Sequence, residues 1–240
     1  MHVLQAKDLS KSYKGKMAVE RLNVYVSTGE IVGLLGPNGA GKTTTFYMIV
    51  GMIRPDSGSI SLDNEDISRL PVYKRALKGI SYLPQEPSIF RKLTVRDNFR
   101  AILEIKGYTQ SSIDERVELL LDEFNLREFS ERQAYQLSGG ERRRAEIART
   151  IATNPTFILF DEPFAGIDPI AIIELKKMLL YLKQKGLGIL VTDHNVRETL
   201  SITDRAYIIS NGSILDEGAP ERLIANTRVK ETYLGDGFTL

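Results

Sequence analysis

The chain has 240 residues, with 32 lysines and arginines against 31 aspartates and glutamates; a net charge of +1 gives no overall field pointing to nucleic acid. Cysteine is absent, which excludes a disulfide framework, leaves the core to hold the fold and is compatible with a reducing compartment. No apolar run approaches the ~18 to 20 residues of a spanning helix, and Met1-His2-Val3-Leu4-Gln5 does not read as a signal peptide, so any membrane link is expected to come through a partner.

In chain order, Val3 to Leu9 and Leu22-Asn23-Val24-Tyr25-Val26 read as strands, the second with Leu22, Val24 and Val26 alternating on one face. Lys11-Ser12-Tyr13-Lys14-Gly15 between them reads as a polar loop carrying one aromatic. Ile31-Val32-Gly33-Leu34-Leu35 is an apolar run suited to a strand buried on both faces. It leads into Gly36-Pro37-Asn38-Gly39-Ala40-Gly41-Lys42-Thr43, which fits the phosphate-binding pattern G-x-x-x-x-G-K-[ST] at every fixed position. Thr43 to Val50 must then form a helix, although the successive threonines Thr43, Thr44 and Thr45 favour a strand by propensity. A polyphosphate facing the unpaired N–H groups and positive dipole end of a helix offsets that conflict. Lys42 would reach the β- and γ-phosphates and Thr43 would ligate Mg²⁺, while the glycines let backbone amides close on the anion.

Ser59 to Leu62 and Gly79 to Leu83 are further strands, and from Glu86 to Asn154 the pattern changes to helix. Ser112-Ile113-Asp114-Glu115 reads as a capping box, followed by a stripe of Ile113, Val117, Leu120, Leu121 and Phe124. A second box, Ser138-Gly139-Gly140-Glu141, opens a helix whose apolar face is Ile147, Ala148, Ile151 and Ala152, and Asn154-Pro155 stops it. The parallel-sheet pattern resumes with Phe157 to Asp161 and, after a helix begun by Asp168 as N-cap and Pro169, with Ile189 to Asp193. Ala206 to Ser210 and Ser213 to Leu215 flank Asn211-Gly212, a hairpin turn, and a short helix with an aromatic tail is expected from Pro220.

Two carboxylates, Asp161 and Glu162, end an apolar strand, where open α/β sheets place ligands. Asp161 can hold a magnesium shell and Glu162 can polarise a water for in-line attack on a γ-phosphate. His194 follows another buried strand and is aimed at the same crevice, where its N–H can bond the γ-phosphate or orient the water. The glycines after Ser138 make a second anion seat, which need not serve the same nucleotide within one chain. Ile89-Phe90-Arg91 is an apolar and cationic patch suited to gripping a partner helix. Arg142-Arg143-Arg144 fan around their helix by about 100° each, so they make no single stripe for nucleic acid and read as a solvated or interface face.

Together these residues resemble an ATP-binding cassette (ABC) ATPase, with Walker A at Gly36 to Thr43, the signature at Leu137 to Glu141 and Walker B at Phe157 to Asp161. The resemblance covers essentially the whole chain. It implies an α/β P-loop NTPase with a RecA-like parallel-sheet core, an N-terminal antiparallel β subdomain and an inserted α-helical subdomain. Residues 1–85 and 156–240 would form the core and 86–155 the helical part of a single nucleotide-binding domain. It further implies that Tyr13 stacks on adenine, that Gln85 senses metal and water, that Ala165-Gly166-Ile167-Asp168 is the D-loop and that His194 is the switch histidine. ATP and Mg²⁺ would bind between the chains of a head-to-tail homodimer, with Ser138, Gly139 and Gly140 on the γ-phosphate held by the facing chain. Glu141 stands where glutamine is usual, and the D-loop departs from the commoner Ser-Ala-Leu-Asp.

Leu83 to Arg91, Glu141 to Arg144, Asp161 to Gly166, Asp193 to Leu200 and Tyr233-Leu234-Gly235 resemble one subgroup more closely, the ATPase subunit of lipopolysaccharide export transporters. That implies transmembrane permease partners, no direct nucleic acid and a peripheral place on the cytoplasmic face of the inner membrane. Branched-chain amino acid importers share part of the pattern. Non-transport cassettes acting on DNA or ribosomes are a further alternative, although the coiled-coil insertion of the first and the paired cassettes of the second are missing from the sequence. A guanine-binding switch lacks its expected Asn-Lys-x-Asp.

Overall fold

The computed structural model describes residues 1–235 and 237–238. Its strands are β1 (Val3–Tyr13), β2 (Lys16–Ser27), β3 (Ile31–Leu35), β4 (Ser57–Leu62), β5 (Glu65–Asp66), β6 (Ile80–Leu83), β7 (Phe157–Asp161), β8 (Gly188–Thr192), β9 (Arg205–Ser210) and β10 (Ser213–Gly218). The longer helices are α1 (Lys42–Val50), α2 (Val72–Leu77), α3 (Val95–Ile105), α4 (Gln110–Glu123), α5 (Gly139–Ile151), α6 (Pro169–Gln184), α7 (Val196–Leu200) and α8 (Pro220–Ala225).

Two sheets result. One is antiparallel, in the order β2-β1-β4-β5; the other has six strands in the order β10-β9-β3-β8-β7-β6 and is parallel except for the β9–β10 hairpin. β3, β7 and β8 are buried along their whole length, which explains their unbroken apolar sequences. Alternate residues of β7 feed opposite cores: Ile158 and Phe160 pack in the cluster that includes the helices α3 to α6, and Phe157 and Leu159 in the one that includes α1 and the antiparallel sheet.

The β1–β2 connection corrects the expected loop over residues 11–15. Pairing runs on to Tyr13 opposite Lys16, and only Lys14 and Gly15 turn, both at positive φ (49° and 80°). That primed geometry matches the twist of the strands it joins. Asn211 and Gly212 make the expected hairpin turn in the same way, at φ 49° and 82°.

The helix α4 also begins earlier than expected. Gln110 is its first residue, and extended Thr109 precedes it without a side-chain cap. The Thr109 hydroxyl donates to the Ser112 hydroxyl instead, so the anticipated Ser112 capping box is absent. The stripe itself holds: Ile113, Val117, Leu120, Leu121 and Phe124 are all buried. At the far end of α1, the guanidinium of fully buried Arg75 donates to the carbonyls of Met48 and Ile49 at 2.7 and 2.6 Å, and also to Leu70 and Ser68. A cation there complements the negative end of the helix, while burial pushes its pKa down to about 10.

Candidate functional site

Parallel register brings the chemistry to one edge. Gly33 pairs with Val191, Asp161 with Thr192 and Leu83 with Phe160, so β3, β8, β7 and β6 end together. The loops leaving those ends carry residues 36–43, His194, Glu162 and Gln85 respectively, at the carboxyl edge where such sheets bind ligands.

The turn into α1 depends on glycine at two positions. Gly36 has φ 154°, and a Cβ there would lie 2.1 Å from the Ile209 carbonyl oxygen; at Gly41, φ 107°, it would lie 2.6 Å from that of Ala18. No other residue fits either position. Gly41 is the N-cap of α1 and no side chain caps it, so the first N–H groups of the helix are left for an anion. Lys42 is buried and donates to the carbonyls of Gly36 and Pro37 at 2.7 and 3.0 Å. Burial lowers its pKa, opposed by the charges of Glu162, Asp161 and Asp193. Thr43 is exposed and Thr44 half-buried, while the Thr45 hydroxyl turns back to the Gly41 carbonyl.

Asp161 is buried, and its Oδ2 accepts a hydrogen bond from the Tyr82 hydroxyl at 3.0 Å. Burial raises its pKa; the Tyr82 bond works the other way. Glu162 sits at φ 46°, a left-handed conformation that costs a side-chain-bearing residue on the order of 1 to 3 kcal/mol. Its N–H donates to Thr192 O at 2.7 Å, and its Oε2 lies 3.3 Å from His194 Nδ1. The two expected catalytic groups are thus in contact. Fully buried Asp193 ties both loops together: it accepts from the Phe164 N–H at 2.7 Å and the Asn195 N–H at 2.8 Å, with His194 Nδ1 3.6 Å away. Burial raises the Asp193 pKa against those two hydrogen bonds.

Exposed Gln85 shares a cleft of ~200 Å³ with Glu162, Ala165, Gly166 and Gly139. The last of these comes from the start of α5, where the second capping box is complete: Ser138 Oγ accepts from the Glu141 N–H and Glu141 Oε2 accepts from the Ser138 N–H. A carboxylate at 141 therefore serves the cap and also suits the positive end of the helix. Asp168 caps α6 through the N–H groups of Ile170 and Ala171, both at 3.0 Å. Tyr13 stands apart at the β1–β2 turn, 47% exposed, with Lys11 Nζ 5.8 Å from its ring centre.

Among the described residues no cluster of three or more His, Cys, Asp or Glu side chains could cage a metal. Thr43, Asp161 and Gln85 offer oxygen donors with one carboxylate, a set that fits magnesium shared with substrate phosphates and water.

A family model described as ABC transporter matches residues 19–165. The lipopolysaccharide export system ATP-binding protein LptB of Haemophilus influenzae is 54% identical over 241 positions, and that of Escherichia coli K12 52%, each covering 100% of both chains. The chain belongs to the ABC transporter family. Its fold is that of solved cassettes: the ADP conformation of MJ1267, an ATP-binding cassette of an ABC transporter, superposes with a TM-score of 0.87 at 29% identity over 98% of this chain and 100% of that one. A nucleotide-free cassette from an ABC transporter gives 0.86 at the same identity and coverage. The expected P-loop NTPase architecture is thereby established.

A groove of ~350 Å³ has walls that include Val72, Ala76, Tyr82, Phe90, Ile102 and Arg149. The Arg149 guanidinium sits 5.0 Å over the 44% exposed ring of Phe90. Buried Asn98 clamps the backbone there, accepting from the Phe90 N–H and donating to its carbonyl. Arg91 is exposed beside it. Ile89 corrects the expected surface patch: at 4% exposure it belongs to the core and cannot be presented to a partner. Arg143 corrects the second surface reading. It turns inward, 8% exposed, and donates to Pro84 O and to buried Glu146, both at 3.2 Å.

Sequence reasoning passed over Tyr82, Asn98, Glu146 and Asp193. Each acts on backbone groups or another side chain, which no local motif encodes; the visible signal was Glu146 one turn after Arg143.

Proposed function

We propose that this chain is the ATP-hydrolysing subunit of a lipopolysaccharide exporter, working as a homodimer under transmembrane permease subunits on the cytoplasmic face of the inner membrane. End-to-end identity of 54% and 52% with two LptB proteins carries this reading, since the structurally matched cassettes with the same fold share only 29%. Residues 1–85 and 156–240 are read as the catalytic core and β subdomain and 86–155 as the helical subdomain. In support, every named strand falls outside 86–155.

ATP would lie against the N-terminus of α1, with its adenine on Tyr13. Lys42 then exchanges the carbonyls of Gly36 and Pro37 for phosphate oxygens, and Gly36 to Thr44 enclose the anion. Thr43, Asp161 and Gln85 would hold the magnesium, which would supply charge neutralisation for the phosphates. Glu162 takes a proton from the attacking water, and His194 at 3.3 Å holds that carboxylate in place and can bond the γ-phosphate. Ser138, Gly139, Gly140 and Glu141 of one chain, with Asp168 at the seam, complete the pocket of the other. Phe90 and Arg91, with the groove beside them, take a permease helix, so that closure of the dimer moves the membrane subunits.

Isolation of the chain from detergent-solubilised membranes tests this. Permease subunits and bound lipopolysaccharide should co-purify, and lipopolysaccharide should stimulate ATP hydrolysis by the reconstituted complex. Co-purification with an importer's permeases and a periplasmic binding protein would replace the substrate, leaving the ATPase intact.

A further inference from the structure

Tyr82 is fixed on two sides. It lies in β6 opposite Leu159 of β7, and its ring meets Tyr47 of α1 edge-on, with centroids 6.3 Å apart and planes at 88°. Its other surroundings are the wall of the groove that holds Phe90 and Arg149. From this frame its hydroxyl donates to Asp161 Oδ2 at 3.0 Å. Among the described residues no other side chain bonds that carboxylate, although it is buried and ends a strand whose backbone is fully paired.

A carboxylate held at one oxygen by a rigid donor has its rotation selected and its second oxygen uncommitted. Partners that orient a liganding carboxylate in this way are worth ~10- to 100-fold in metal affinity. We propose that Tyr82 is a positioning residue, whose hydroxyl sets the Asp161 carboxylate for the magnesium of MgATP. The proposal rests on reading Asp161 as the metal-facing carboxylate, and the test separates the two.

Magnesium is titrated at fixed excess ATP into chains carrying Glu162→Gln, which suppresses turnover, and the nucleotide-dependent rise in melting temperature is followed. Adding Tyr82→Phe should raise the half-saturating magnesium concentration ~10-fold while leaving ATP binding in EDTA in place, and adding Asp161→Asn should raise it at least as far. Should Tyr82→Phe lower the nucleotide-free melting temperature, Mn²⁺ binding followed by electron paramagnetic resonance below the transition reads the affinity of the folded protein directly. An unchanged half-point for Tyr82→Phe beside a shifted one for Asp161→Asn overturns the role of Tyr82. No shift in either overturns the reading of Asp161 as well.

Discussion

Glu162 is where backbone strain and chemistry coincide. Its left-handed φ of 46° is maintained by its own N–H on Thr192 and by Asp193 gripping the Phe164 N–H two residues on, so the side chain leaves the strand towards His194. Glu162→Gln keeps that shape and removes the base. ATP hydrolysis should fall by ~100-fold or more, the usual span of a lost general base, while ATP is still bound. Light scattering should then show a lasting dimer in ATP. Turnover within tenfold of the parent chain would take Glu162 out of the reaction. This pair was legible because each residue follows the end of an apolar strand, at the sheet edge where ligands bind. Asp193 stands at the same strand end and was missed. Its carboxylate works on two backbone N–H groups, and the loop path that brings them together is a tertiary fact.

The helix α5 links the Ser138 box to the segment that leads to Phe90. Its first residues form the Ser138 and Glu141 box, while one turn further its inward side grips the segment leading to Phe90: Arg143 donates to Pro84 O, and Glu146 Oε1 accepts from the Ser88 and Ile89 N–H groups at 2.8 and 3.3 Å. Arg149 adds a bond to the Ser88 hydroxyl at 2.8 Å. The segment leading to the groove is thereby tied to the helix that begins at Gly139. Glu146→Ala leaves three donors short and strands the buried Arg143 cation, so it should cost ~3 to 5 kcal/mol in urea unfolding. Glu146→Gln keeps an oxygen for the Ser88 N–H and should cost clearly less. Equal losses would mean that the retained oxygen contributes nothing and that the charge paired with Arg143 carries the whole effect. The elements with strong punctuation were readable in advance, namely the box before α5, Asp168-Pro169 before α6 and Asn211-Gly212 between β9 and β10. The Lys14-Gly15 turn and the start of α4 were not, since pairing of long strands and packing of the α4 stripe decided them against weak local signals. Arg143 failed for a related reason: helical spacing says that three arginines diverge, and the neighbouring segment decides which one turns inward.

At the scale of the molecule, one chain carries two glycine-bearing helix N-termini of the kind that can seat an anion, on α1 and on α5. A motif count finds both seats, but which chain each one serves is a property of the assembly. Two defective chains decide it. Lys42→Ala spoils a chain's own phosphate seat and leaves its signature sound, and Ser138→Arg does the reverse. Each homodimer should be inactive. A heterodimer has one pocket made from the two sound halves and one made from the two damaged halves, so an equal mixture should recover about a quarter of the parent ATPase, given random pairing into two-fold dimers. Native mass spectrometry counts the heterodimers. With those present and hydrolysis still absent, either Lys42 and Ser138 act within one chain or both pockets must fire together; activity in either homodimer alone would remove the altered residue from the pocket.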